Sequence, residues 1–218
     1  MAACIVFQMG CGGGEVIGLL IVDEGSATIA RGSSHHRVNK GGTEKVMVGD
    51  TLTGNLGCKA TIKTGLHAYT IDAETELVVD KASFAGASHG ASMVTLKKGL
   101  AAFALQVQGE KKVHRFQVAT VSVVAAVKGT MFDVNVADRE VKVTVYEGEV
   151  DLFAQGDPAV VVVGKKHAPQ TIASLKEGTS AVVVQGRIQG QAPVDAAKLQ
   201  AQKAEWFART NKPNISGF

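Results

Sequence analysis

Aromatic residues make up only 5% of this 218-residue chain, and tryptophan occurs once. Bulky rings therefore cannot supply most of the core, and small and β-branched residues must. At 45% hydrophobic and 20% charged, the composition still holds enough apolar material for a packed interior and is not that of a disordered chain. The length fits one domain, or one domain with an appendage. Cysteines are three, Cys4, Cys11 and Cys58. An odd, sparse set is no disulfide framework, although Cys4 and Cys11 could pair, and no close pair offers a zinc knuckle. No run approaches the about 18 apolar residues of a membrane-spanning helix.

The start of the chain lacks the charge that opens a secretory signal. MAACIVFQMGCGGG has a short apolar run with no Lys or Arg before it. Gly10-Cys11-Gly12 loosely resembles a lipoprotein cleavage site, which Gln8 and Met9 fit poorly. Residues 1–14 read either as a first strand with a glycine loop or as the remnant of an export signal. The net charge is small, +3. Lys-Lys pairs at 97–98, 111–112 and 165–166 each adjoin a turn, and no aromatic platform alternates with the cations. This argues against nucleic-acid binding.

What is abundant is valine, alanine and glycine. Valine fits a pleated, half-buried surface, and 25 glycines in such a chain imply many short strands with many turns. Residues 15–31 read as two strands around Asp23-Glu24-Gly25, and the polar stretch 32–45 as a loop or hairpin tip. Strands follow in 46–54 and 58–80, with Thr64-Gly65 as a turn. Residues 82–92 read as a loop, 93–96 and 100–107 as strands, and 108–112 as a hairpin turn. Strands resume at 170–174 and 181–188. The run Ala159–Val163 (AVVVV) needs a covering partner.

Between these lies the richest segment. Phe116 and Val118 share even positions, whereas Val121, Val123, Ala125 and Val127 share odd ones. The apolar set is even again at Phe132, Val134 and Val136, odd at Val141, Val143 and Val145, and even at Val150 and Leu152. A one-residue shift turns every side chain to the other face, so a bulge or bend must absorb each change. Such repeated changes predict a bent two-layer antiparallel sandwich or a solenoid-like all-β domain. The polar step Lys128-Gly129-Thr130 falls on one of these shifts. It reads as a structural joint rather than a nucleophile, since no motif ties a base to Thr130.

Pro193 opens a predicted helix over 194–210, with Asp195 in its first turn and Arg209 in its last. Leu199, Ala201, Trp206 and Phe207 make a partial apolar stripe. This stripe docks on the chain's own β domain, or the helix binds a partner through Trp206 and Phe207 or is exchanged between subunits. The expected organisation is residues 1–14, a β domain over 15–190, and a helix with tail over 191–218.

Candidate chemistry is thin. GCGGGEVIG lacks the spacing and helix of a dinucleotide fingerprint. His35-His36 would point apart in a strand, and His67 or His89 could join them only through the fold. Ser88-His89 carries no triad logic. No catalytic residue, cofactor or metal is expected.

The motifs Val48-Gly49-Asp50-Thr51-Leu52, Ile62-Lys63-Thr64-Gly65, Thr75-Glu76-Leu77, Leu96-Lys97-Lys98-Gly99, Lys128-Gly129-Thr130-Met131-Phe132 and Val145-Tyr146-Glu147-Gly148-Glu149-Val150 are similar to those of the FecR domain. The resemblance spans about residues 15–180. Val121 stands where the family usually has proline, and Lys128 where it usually has arginine. FecR domains are bacterial β domains known from regulators that couple outer-membrane siderophore receptors to sigma factors. The regulators' anti-sigma segment, membrane span and receptor-facing domain have no visible counterpart here. The resemblance implies a non-catalytic scaffold or binding module of the bacterial cell envelope, periplasmic or envelope-associated; the absence of a standard signal leaves the cytoplasm open. The partner would be a protein or glycan. The alternatives are a self-assembling, homo-oligomeric structural subunit and a signalling regulator working through a membrane partner. The expected turn and corner residues are Gly49, Asp50, Gly65, Gly99, Lys128, Gly129, Thr130 and Gly148.

Overall fold

The computed structural model describes residues 14–64, 67–81, 92–105, 116–127, 129–155 and 171–210. It is all-β with one C-terminal helix. The N-terminal strands are β1 (Val16–Glu24), β2 (Ser26–Arg31), β3 (Ser34–Asn39), β4 (Thr43–Met47), β5 (Thr51–Gly54), β6 (Lys59–Lys63), β7 (His67–Asp72) and β8 (Glu76–Lys81). The long β9 (Ser92–Leu105) follows. The C-terminal strands are β10 (Phe116–Ala119), β11 (Val123–Val127), β12 (Met131–Ala137), β13 (Glu140–Glu147), β14 (Glu149–Ala154), β15 (Thr171–Lys176), β16 (Thr179–Val184) and β17 (Arg187–Pro193). Helix α1 spans Ala196–Thr210.

The strands form one continuous sheet folded over at β9 into two layers. The front layer runs β4-β1-β6-β7-β9-β12-β13-β16-β17. The back layer runs β3-β2-β5-β8-β9-β10-β11-β14-β15. The first half of β9 pairs in the back layer with β8 and β10. The second half, from Gly99 onward, pairs in the front layer with β7 and β12. Of the stretches 93–96 and 100–107, expected as separate strands, 93–96 and the described part of the second, 100–105, are two arms of one bent strand. All pairs are antiparallel except β9 with β10, which is parallel. The expected all-β class with one C-terminal helix is present, with this one parallel pair joining segments distant in sequence.

Every layer change that falls among the described residues passes through a residue of positive φ: Gly25, Gly41, Gly49, Gly57, Glu74, Gly99, Gly129, Gly148 or Gly178. The parity shift at Ala119-Thr120 is different. β10 and β11 are neighbours in one layer, joined by a tight turn in which the Thr120 N–H donates to Val123 O at 3.0 Å. Val121 sits on that turn and is exposed; it does not belong to the apolar face. Residues 32–45 are more than a loop, since they hold β3 and most of β4. Residues 181–188 hold a hairpin around Gln185-Gly186, not one strand. The run 159–163 and the turn at 108–112 lie outside the described residues.

The inward faces of both layers form one core. Four aromatic rings meet in this core. Tyr69, Phe103 and Phe132 of the front layer and Phe116 of the back layer have ring centroids 5.1–5.6 Å apart, a range that favours offset or tilted ring pairs. Each is essentially out of solvent. Valine, leucine and isoleucine fill the core toward both ends.

Helix α1 lies on the outer face of the front layer, against β6 and β13. Its 15 residues give about 22 Å. The five strands from β6 to β13 span about 19 Å at about 4.8 Å per strand. The helix therefore crosses the sheet between those two strands. It begins at Ala196, two residues later than expected; Pro193 instead ends β17. Asp195 is the N-cap, its Oδ1 accepting the Lys198 N–H at 3.0 Å. The inward stripe is Leu199, Gln202, Lys203, Trp206 and Arg209, all half-buried, while Ala201 is exposed. Long polar side chains, not alanine, make the contact. Among the described residues no helix is long and apolar enough to cross a membrane.

Candidate functional site

Of the turn and corner residues singled out in the sequence, Gly49, Asp50, Gly99, Gly129, Thr130 and Gly148 are described, and they lie at layer changes. At the Gly49-Asp50 corner the chain passes from β4 to β5. Gly49 has φ +89° and donates its N–H to Val79 O at 2.8 Å. The Asp50 carboxylate is fully buried. It accepts Arg31 Nε at 2.8 Å, Arg31 Nη2 at 2.8 Å and the Met47 N–H at 2.8 Å. Arg31 Nη2 also reaches Lys45 O at 2.8 Å. The two-pronged geometry is the strong form of a carboxylate pair, and its hydrogen bonds to Asp50 hold the guanidinium more firmly charged than usual. Arg31 is the partner that sequence reasoning missed; nothing local marks a residue 19 positions away.

Two further corners are built alike, each from a buried threonine seated on a glycine of the next corner. Thr75 Oγ1 donates to Leu100 O at 2.9 Å and accepts the Leu100 N–H at 3.1 Å. Its backbone lies directly over Gly99, so a Cβ there would meet Thr75 Cα at 2.5 Å. Thr130 Oγ1 donates to Glu149 O at 3.0 Å. A Cβ on Gly148 would lie 3.0 Å from Gly129 O and 3.1 Å from Thr130 Oγ1. Thr75 and Thr130 are both sequestered from solvent. Both follow a residue of φ +61°, Glu74 and Gly129 respectively. With its hydroxyl spent on a carbonyl, Thr130 has no base beside it among these contacts. Lys128 and Gly65 lie outside the described residues.

Trp206 is half-buried against the chain's own front layer, with its indole nitrogen turned away from solvent. The Phe207 side chain lies outside the described residues. The helix is pinned by Arg209, which donates to Asp72 Oδ1 and to Ala60 O, both at 3.2 Å, and by Lys203 to Glu177 at 2.9 Å. Beneath the helix, Tyr146 Oη donates to Asp133 Oδ2. Burial pushes the Asp133 carboxyl above its ordinary range, against the hydrogen bonds from Tyr146 and Thr144 and the charges of Lys142 and Lys198. Burial likewise pushes the Cys58 thiol up to about 11. That thiol is not a reactive nucleophile.

His35 and His36 lie on β3 with their side chains exposed. Successive residues of a strand face opposite ways, so the two do not converge. Among the described residues no group of three His, Cys, Asp or Glu could hold a metal ion. What the corners do is place four outer strands. Among the described residues β3 pairs only with β2, β4 only with β1, β15 only with β14 and β17 only with β16.

The motifs at these corners match a known family. Residues 53–151 match the model described as FecR protein. The chain carries a FecR domain. The matched region runs from β5 to β14 and contains both threonine–glycine pairs. No curated protein matches the chain. Among solved structures, a candidate anti-sigma factor from Parabacteroides distasonis is similar, with 19% identity and a TM-score of 0.50. The match covers 70% of this chain and 63% of that one. A second structure of a candidate anti-sigma factor from the same organism has 19% identity and a TM-score of 0.49, covering 70% and 64%. The present chain thus spans less than two thirds of those proteins. At such identity the first likeness shows a shared fold. FecR is a family of regulatory proteins, not known as enzymes.

Proposed function

We propose that this protein is a non-catalytic FecR-type binding module of the bacterial cell envelope, and that it recognises a protein partner within a signalling system. The observation that carries this reading is the use made of the motif residues. Asp50, Thr75, Thr130, Gly99 and Gly148 are spent on holding corners together. The rigid product is a sandwich whose outermost strands face solvent. An extended partner segment adds to such an edge through its backbone, with alternate side chains providing specificity.

The test is site-specific photocrosslinking in cells. A photoreactive residue replaces His35 on β3, Gln191 on β17, or Asn135 on the outer face of the front layer. The expected result is one discrete heterologous protein adduct from an edge position and none from Asn135. Adducts only between copies of the chain would favour the self-assembling subunit. Adducts only to glycan, or none, would overturn the protein-partner reading.

A further inference from the structure

The four outer strands are not equivalent. β17 (RIQGQAP) has one charged side chain, Arg187, and ends in Pro193, which has no N–H to offer a new neighbour. β4 carries Glu44 beside Lys45. β15 (TIASLK) has Lys176 alone, with Glu177 directly after it. β3 (SHHRVN) combines two histidines and Arg37 with no carboxylate, and Lys40 follows it directly. All of its residues except Val38 are exposed. Arg31 is already spent on Asp50. By sequence, residues 34–45 hold Arg37, Lys40 and Lys45 against Glu44, a net +2 on twelve residues of a chain whose total is +3.

The register gives this edge two distinct faces. Val38 lies opposite Ala27 and His36 opposite Ile29, so these positions continue the core side. Arg37 lies opposite Thr28 and His35 opposite Ala30, on the outer side. Arg37 Nη2 donates to Ser26 Oγ at 3.0 Å, which holds the guanidinium along the outer surface. A strand laid beside β3 would place alternate side chains next to Val38 on one face and next to His35 and Arg37 on the other, about 5 Å away.

We propose that β3 is the docking edge, and that its occupant is an extended peptide segment of a partner protein with alternating acidic and apolar residues. The acidic side chains face His35 and Arg37, and the apolar ones continue the core beyond Val38. A second copy of the chain is disfavoured as occupant, because its own β3 would bring like charge against like. This assignment rests on the binding-module reading above and adds the edge and the partner's chemistry.

The probe is a capped synthetic peptide of alternating glutamate and valine, titrated against the full chain at low salt. A lysine–valine peptide, phosphatidylserine-containing vesicles and oligothymidylate are run beside it. The glutamate–valine peptide should bind, and Arg37→Glu with Lys40→Glu should weaken it at least about tenfold, since reversing close charges costs more than 1.4 kcal/mol. His35→Pro and His36→Pro separate strand addition from mere charge attraction. N–H groups alternate in direction along an edge strand, so one of the two variants keeps its melting temperature, and that one should lose the peptide. Binding that survives in the stable proline variant would overturn strand addition. So would equal binding of the lysine–valine peptide, binding of vesicles or oligothymidylate in place of the peptide, or no binding at all. If photocrosslinking at Gln191 identifies a protein partner while the peptide fails at β3, the binding module stands and this site falls.

Discussion

Gly99 lies directly under Thr75: a methyl group on Gly99 would come within 2.5 Å of Thr75 Cα and 2.9 Å of Thr75 N. With φ at +84°, Gly99 is also in the left-handed region. Strain and collision with backbone act together at the bend of β9. Gly99→Ala should therefore lower stability by about 3 kcal/mol, combining left-handed strain with overpacking. Gly32→Ala is the control, because Gly32 has φ +57° and open space around it. It should lose only about 1 kcal/mol. Chemical denaturation of the two variants checks the difference, and equal losses would mean that the close approach to Thr75 contributes nothing.

The two corner threonines should not be equivalent. Thr75 both donates and accepts, whereas the bond found at Thr130 is a single donation. Replacing Thr75 with valine orphans a buried N–H and a carbonyl, at about 2–3 kcal/mol in total; Thr130→Val should cost about 1 kcal/mol. Thr75→Ser should recover most of the loss. If serine fares no better than valine, the hydroxyl is not what holds the corner.

Asp133 gives a dependence on pH. Its carboxyl is raised by burial, and Tyr146, Thr144, Lys142 and Lys198 recover only part of that cost. A folded-state pKa above the unfolded value means that this group favours the fold when protonated. The contribution is fully present below the unfolded pKa and is lost as pH rises through the folded pKa. Asp133→Asn should thus match the parent in acid and exceed it in melting temperature near neutrality. A parent that gains on the variant as pH rises would reverse the sign and show a carboxylate stabilised by its neighbours.

Arg209 should act locally. It joins the last turn of α1 to Asp72 and to the Ala60 carbonyl, and partly exposed ion pairs contribute about 1 kcal/mol or less. Arg209→Ala should speed amide hydrogen exchange through residues 196–210 while the strands keep their protection. Faster exchange in β6 and β7 as well would mean that the helix is integral to the front layer.

Periodicity made the all-β class and the single helix legible, because valine alternation and an amphipathic stripe are local signals. The layer changes were legible where glycine marked them, as at Gly49 and Gly148. Glu74 carries the same positive φ without glycine and gave no sign. Val121 misled because a turn residue can share the parity of its strand by chance. The helix stripe was misread because Gln202, Lys203 and Arg209 are half-buried although polar, while Ala201 is exposed. What composition and spacing could not carry was which corner sits on which. Thr75 on Leu100, Thr130 on Glu149 and Arg31 on Asp50 are separated by 25, 19 and 19 positions. The docking edge was missed for a related reason: His35, His36 and Arg37 acquire meaning only once β3 is known to be outermost.

Because β9 belongs to both layers, it divides the molecule lengthwise. β1 to β8 occupy one side of it and β10 to β17 the other, four strands in each layer on each side. A ribosome therefore delivers this protein in its spatial order, first the cationic end, then the spine, then the far end. Once Leu105 has emerged, every pairing of β1 to β8 has its partner, and assembly can run behind synthesis without waiting for the remaining half.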